Sequence, residues 1–148
     1  MITVKEIMTS KPYSLTAEDT LQDACRLMNE KGIRHVPIVD KDDYLLGLIT
    51  HRDVLAASDT LLEQGNEEGG NQASRVLGDL MVKDVESTNP NSALRRTALR
   101  LQSLKVGCMP VLDEGKLVGI ITDTDFVGVA INLLEQVEMQ DQIAMEEF

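Results

Sequence analysis

The sequence contains no tryptophan and only 3% aromatic residues, two Tyr and two Phe in 148. Its core must therefore be aliphatic. Single-stranded nucleic-acid binding, which depends on aromatic stacking platforms, is disfavoured. No run approaches 18 apolar residues, and the opening MITVKEIM lacks a signal-peptide pattern, so a cytoplasmic location is the expectation. Cysteine is scarce too. Cys25 falls on an apolar helical face and Cys108 within a strand-like run, so both read as small buried hydrophobes. No cluster of ligating side chains accompanies His35 or His51, which argues against a metal. No glycine-rich phosphate loop and no nucleophile–base–acid grouping is present either, so no catalysis is expected.

Positive charge is also short: 14 Lys and Arg against 25 Asp and Glu, a net −11. The imbalance is local. Asp59, Glu63, Glu67 and Glu68 lie between Ser58 and Ser74, and Glu135, Glu138, Asp141, Glu146 and Glu147 follow Phe126, with no Lys or Arg in either segment. These four and five acids account for nine of the eleven net charges. The rest of the chain is near neutral, so a small anion remains an acceptable ligand. A DNA backbone or an anionic membrane, which would need a basic patch, does not.

What is present is a duplication. The stretch LTAEDTLQDACRLMNEKGIRHVPIVDKDDYLLGLITHRDVL aligns with TNPNSALRRTALRLQSLKVGCMPVLDEGKLVGIITDTDFV. Each copy opens with a short amphipathic turn, Val4 to Met8 or Leu77 to Met81, then a few extended residues. A helix is predicted over about Thr20–Lys31, with Leu21, Ala24, Cys25 and Met28 at helical spacing. Its counterpart covers about Ala93–Leu104, with Leu94, Ala98 and Leu101 on one face, and Asp19 and Ser92 as candidate N-caps. Paired strands follow at His35–Val39 and Leu45–Thr50, and at Cys108–Leu112 and Lys116–Thr122, around turn-prone acids. A second helix begins near Arg52 or Thr124. The expected fold is α/β (α+β), two β-α-β-β-α units packed as a pseudo-two-fold pair, because one unit alone is too small to bury a core. The expected division is a first repeat over 1–63, a flexible acidic, glycine-rich loop over 64–73, a second repeat over 74–134 and an acidic helical extension over 135–148.

Two stretches in each copy carry a family resemblance. Ile33-Arg34-His35-Val36-Pro37-Ile38-Val39-Asp40 with Gly47-Leu48-Ile49-Thr50-His51-Arg52-Asp53, and Val106-Gly107-Cys108-Met109-Pro110-Val111-Leu112-Asp113 with Gly119-Ile120-Ile121-Thr122-Asp123-Thr124-Asp125, resemble the signatures of cystathionine-β-synthase (CBS) domains. The resemblance spans about Val4 to Leu134. It implies a tandem pair that binds AMP, ADP or ATP in clefts between the repeats and acts as a regulatory module. By that resemblance, Thr50 and Thr122 contact phosphate, Asp53 and Asp125 hold the ribose hydroxyls, and adenine lies against the other repeat. Thr50 and Asp53 would face Val106-Gly107-Cys108, and Thr122 and Asp125 would face Ile33-Arg34-His35. Pro37, Leu48, Pro110 and Ile120 lie within the same signatures.

The residue types suit that chemistry. A carboxylate accepts from both vicinal hydroxyls, and a helix N-terminus offers free N–H groups to phosphate. The same Thr-x-x-Asp spacing is also a helix capping box, and Pro37 and Pro110 are equally strand-edge prolines. His51, Arg52 and Lys83 are candidate phosphate partners near the first motif; Arg34, His35 and Lys11 are those near the second, where Asp123 would disfavour a polyphosphate. The resemblance further implies a homodimer and an effector protein. Its alternatives are an interaction scaffold, or clefts that take S-adenosylmethionine or a divalent ion.

Overall fold

The computed structural model describes residues 1–63 and 73–146. The Gly65–Gln72 loop expected between the repeats lies outside them. The chain runs α1 (Val4–Ile7), β1 (Thr9–Ser10), α2 (Leu21–Lys31), β2 (His35–Val39), β3 (Leu45–Thr50) and α3 (His51–Glu63). It continues with α4 (Leu77–Leu80), α5 (Leu94–Leu104), β4 (Cys108–Asp113), β5 (Lys116–Thr122) and α6 (Asp123–Glu146). No described helix is long and apolar enough to cross a membrane.

Both hairpins are antiparallel, with irregularities at matching positions, Ile38/Val39 and Val111/Leu112. Each two-stranded hairpin leaves two bare edges, and the chain covers them with its own extended segments. Leu15 bridges Ile38 and Thr88 bridges Val111 on the outer edges. The inner edges are closed by exchange. β1 pairs with β5, placing Thr9 opposite Ile120 and Ser10 opposite Gly119, while Val82 bridges Leu48.

The exchange extends to the core. Val4 of α1, with Ile7 and Met8, packs among Leu94, Leu101, Met109, Val111 and Ile121 of the second repeat. Leu77 of α4, with Leu80 and Met81, packs among Leu21, Ala24, Met28, Val36, Ile38, Ile49 and Val54 of the first. Each repeat therefore supplies a turn of helix to the other's core.

The structure also corrects the expected N-caps. Helix α2 is capped by Thr20, not Asp19: the Thr20 N–H and hydroxyl donate to Asp23 Oδ2 at 2.9 and 3.0 Å, and the Asp23 N–H returns to Thr20 Oγ1 at 3.3 Å. Asp19 serves an earlier turn, accepting the Thr16 N–H at 2.7 Å. Helix α5 starts after Ala93, not Ser92, and has no side-chain cap. A side chain is not required there, because the exchanged N-terminal segment reaches this end: Leu94 N–H donates to Ile2 C=O at 2.8 Å and Val4 N–H to Ser92 C=O at 3.0 Å. On the first repeat, Leu21 N–H donates to Arg75 C=O and Leu77 N–H to Asp19 C=O in the same way. Both helices end in a left-handed residue, Gly32 (φ 64°) after α2 and Lys105 (φ 56°) after α5.

The two sheets meet along a seam of Leu48, Cys108 and Ile120, with Val85 against them. Leu48 and Ile120 are equivalent positions of the two repeats, so the seam lies near the pseudo-two-fold axis. The hairpin tips are also joined, Leu45 N–H to Gly115 C=O at 3.3 Å and Leu117 N–H to Asp43 C=O at 2.9 Å.

Candidate functional site

The two Thr-x-x-Asp motifs sit where β3 runs into α3 and β5 into α6. Thr50 N–H and Oγ1 each donate to Asp53 Oδ2 at 2.9 Å, and Asp53 N–H donates to Thr50 Oγ1 at 3.2 Å. Thr122 N–H donates to Asp125 Oδ2 at 2.8 Å and its hydroxyl to the same atom at 3.3 Å, with Asp125 N–H returning at 3.4 Å. The capping-box reading of the sequence therefore holds at both motifs. Each box uses Oδ2; Oδ1 of each aspartate takes no part in it. All four side chains are half-buried, at the edge of the packed body.

Backbone bonds tie each box to the residues before the preceding strand. His51 N–H donates to Arg34 C=O at 2.8 Å, and Asp123 N–H donates to Gly107 C=O at 2.9 Å. His35 lies directly opposite Thr50 in the first hairpin and Cys108 opposite Thr122 in the second. In each repeat the motif Thr thus lies across one hairpin mouth from a residue that the resemblance assigns to the other motif's cleft.

Between repeats, the structure brings His35 against Gly107 and Asp123. A Cβ on Gly107 would lie 3.2 Å from His35 Nε2 and 3.6 Å from Asp123 Oδ2. Gly107 is the residue type that lets this imidazole approach. Burial holds His35 below its usual pKa, Asp123 opposes that shift, and Arg34 adds to it. Cys108, in the seam, has its thiol pushed up to about 12 by burial and then by Asp123. Its thiolate is inaccessible at neutral pH, consistent with a packing role.

The remaining sequence candidates divide by exposure. Ile33 packs against the first core. Pro37 and Pro110 are buried in β2 and β4, and Leu48 and Ile120 form the seam. Arg34, His51, Arg52, Lys83, Val106 and Lys11 are exposed, so none of the basic candidates enters the core. Among the described residues no group of three or more His, Cys, Asp or Glu could hold a metal ion.

Sequence reasoning missed the role of the motif glycines. A Cβ on Gly47 would lie 2.6 Å from Met81 Sδ and 2.7 Å from the Val82 carbonyl oxygen, and one on Gly119 would collide with Met8 Sδ. The glycines admit the exchanged segments. The repeat offered one signal: Met8 and Met81 occupy equivalent places in the two copies, as Gly47 and Gly119 do.

Comparison with known proteins places this arrangement. The CBS domain family matches residues 4–60 and 77–132. A CBS domain-containing protein of Dictyostelium discoideum is 30% identical over 142 residues, covering 94% of this chain and 98% of that one. Several other curated relatives are longer proteins, of which this chain matches between 22% and 41%. Among solved structures, an acetoin utilization protein (AcuB) of Vibrio cholerae superposes with a TM-score of 0.82 and 44% identity, covering 93% of this chain and 98% of that one. CBSX2 in complex with AMP superposes with a TM-score of 0.77 and 27% identity, covering 90% and 98%.

Proposed function

This chain belongs to the CBS-domain family, whose paired domains are regulatory modules, and we propose that it senses adenosine nucleotides in the two clefts between its repeats without catalysing a reaction. The observation that carries this reading is the pair of equivalent Thr–Asp boxes. In each, Oδ2 is committed to the helix start while Oδ1 is not, so one carboxylate can cap the helix and accept ribose hydroxyls together. AMP bound to a relative of 27% identity supports the ligand class.

The nucleotide enters at the first turns of α3 and α6, where the motif hydroxyls and the positive ends of the helix dipoles favour phosphate. Thr50 and Asp53 serve one cleft with Val106, Gly107 and Cys108; Thr122 and Asp125 serve the other with Ile33, Arg34 and His35. Arg52, His51 and Lys83 supply positive charge near the first. Asp123 places negative charge in the second, which therefore favours a monophosphate. A homodimer suits the exposed apolar pair Leu55 and Val127, which occupy equivalent positions on α3 and α6. An effector protein then reads the nucleotide state.

A ligand panel tests the reading: melting temperature with AMP, ADP, ATP and S-adenosylmethionine. A nucleotide at 100 times its dissociation constant stabilises the folded state by about 2.7 kcal/mol. Asp53→Asn and Asp125→Asn, which keep an acceptor for the cap, should each reduce the response, and Asp123→Asn should raise the response to ATP relative to AMP. No shift with any nucleotide would contradict the reading, and a shift with S-adenosylmethionine alone would favour the alternative ligand.

A further inference from the structure

Helix α6 outruns the body that it starts on. Phe126 and Val129 pack into the second core, but every residue from Ala130 to Glu146 is exposed. That span of 17 residues projects about 25 Å at 1.5 Å per residue. A helix of this length without tertiary contacts is marginal in water, so its order calls for a covering surface.

The apolar line that Phe126 begins does not stop at the body. Ala130, Leu133, Val137 and Ala144 continue it at helical spacing, with Leu134 beside them, and Leu133, Leu134 and Val137 are 55%, 61% and 54% exposed. The first repeat has no equivalent in its sequence: after Glu63 it reads Gln-Gly-Asn-Glu-Glu-Gly-Gly-Asn-Gln, with no apolar side chain.

Charge decides what fits. Asp141 lies in the line itself, four residues after Val137 and three before Ala144, while Glu135, Glu138 and Glu146 lie elsewhere along the same span. No Lys or Arg occurs from Phe126 to the end of the sequence. A second copy laid along this face would bury Asp141 without a cation and set two acidic helices together, which is unfavourable. A segment carrying both Leu-like and Lys or Arg side chains satisfies the apolar line and the acid at once. We propose that the 130–146 face of α6 docks a basic amphipathic helix of the regulated protein. The inference deepens the sensor reading and rests on it for the need to reach a separate effector.

The test uses the whole chain and two 18-residue amphipathic peptides of one apolar pattern, one Leu/Lys and one Leu/Glu. The Leu/Lys peptide should bind, more weakly as salt rises, and the Leu/Glu peptide should not. The double variant Leu133→Ser/Val137→Ser, which keeps every acid, and Asp141→Asn, which keeps every apolar residue, should each weaken binding about ten-fold. Circular dichroism of both variants must match the parent, which these exposed positions permit. No binding, or binding unchanged in the apolar variant, would overturn the proposal. So would a dimer in sedimentation that Leu133→Ser/Val137→Ser dissociates, since a second copy would then own this face. Nucleotide titration of the same variants separates the two readings: peptide binding without any nucleotide response sinks the sensor and leaves the docking face.

Discussion

Gly47 and Gly119 occupy the same place in the two repeats, yet they answer to different neighbours. At Gly47 an added methyl meets the Val82 carbonyl oxygen, which accepts from Leu48 N–H at 2.9 Å while Val82 N–H donates back to Leu48 C=O; at Gly119 the nearest atoms all belong to the flexible Met8 side chain. A thioether moves aside more readily than a ladder. Gly47→Ala should therefore cost about 1–3 kcal/mol and Gly119→Ala less than about 1 kcal/mol in denaturant unfolding. Equal costs would mean that the first exchange is as soft as the second. At His35 the sign follows from its lowered pKa. The fold favours the neutral imidazole, so this residue's contribution is present above its unfolded pKa, near 6.5, and is lost as pH falls below it. His35→Gln should flatten the fall in melting temperature between pH 7.5 and 5.5, and an unchanged slope would remove His35 from the account.

Among the elements, α2 and α5 are near copies that end differently. Both stop on a left-handed residue whose N–H reaches back into the last turn, Gly32 to Met28 and Lys105 to Leu101. That conformation costs a side-chain-bearing residue about 1–2 kcal/mol. Lys105→Gly should stabilise the chain by about 1 kcal/mol, partly offset by the freedom glycine gains when unfolded, and Gly32→Ala should destabilise it. Chemical denaturation of the two variants checks both signs.

Periodicity located these helices and both hairpins within a residue or two, because burial on one face and the turn chemistry of Asp40–Asp43 and Asp113–Gly115 are local. It also brought out the Thr–Asp boxes, whose bonds span only three residues. It misplaced the first cap at Asp19, although the Thr20–Asp23 box spans only three residues, and the second at Ser92, where the partner of Leu94 comes from Ile2, far along the chain. The exchange of α1 and α4 was hidden for the same reason: Val4 and Leu77 announce a buried turn, but not whose core receives it.

For the whole molecule the exchange has a thermodynamic consequence. With Val4 and Leu77 each fully buried in the other repeat's core, neither repeat can unfold without opening the other. Leu77→Ala should cost about 2–5 kcal/mol and lower a single melting transition, not split it into two. The same interlock suits the proposed sensor: a ligand that tightened the seam of Leu48, Cys108 and Ile120 would act on both repeats together, and α6 begins at the Thr122 motif.

Calorimetric titration of the intact chain with AMP tests the central claim most directly. Binding should be saturable and should involve both motifs: Asp53→Asn and Asp125→Asn each weaken or remove a site, and the double variant binds nothing while melting as the parent does. AMP heat that survives the double variant unchanged, or no heat with the parent chain, would contradict the account.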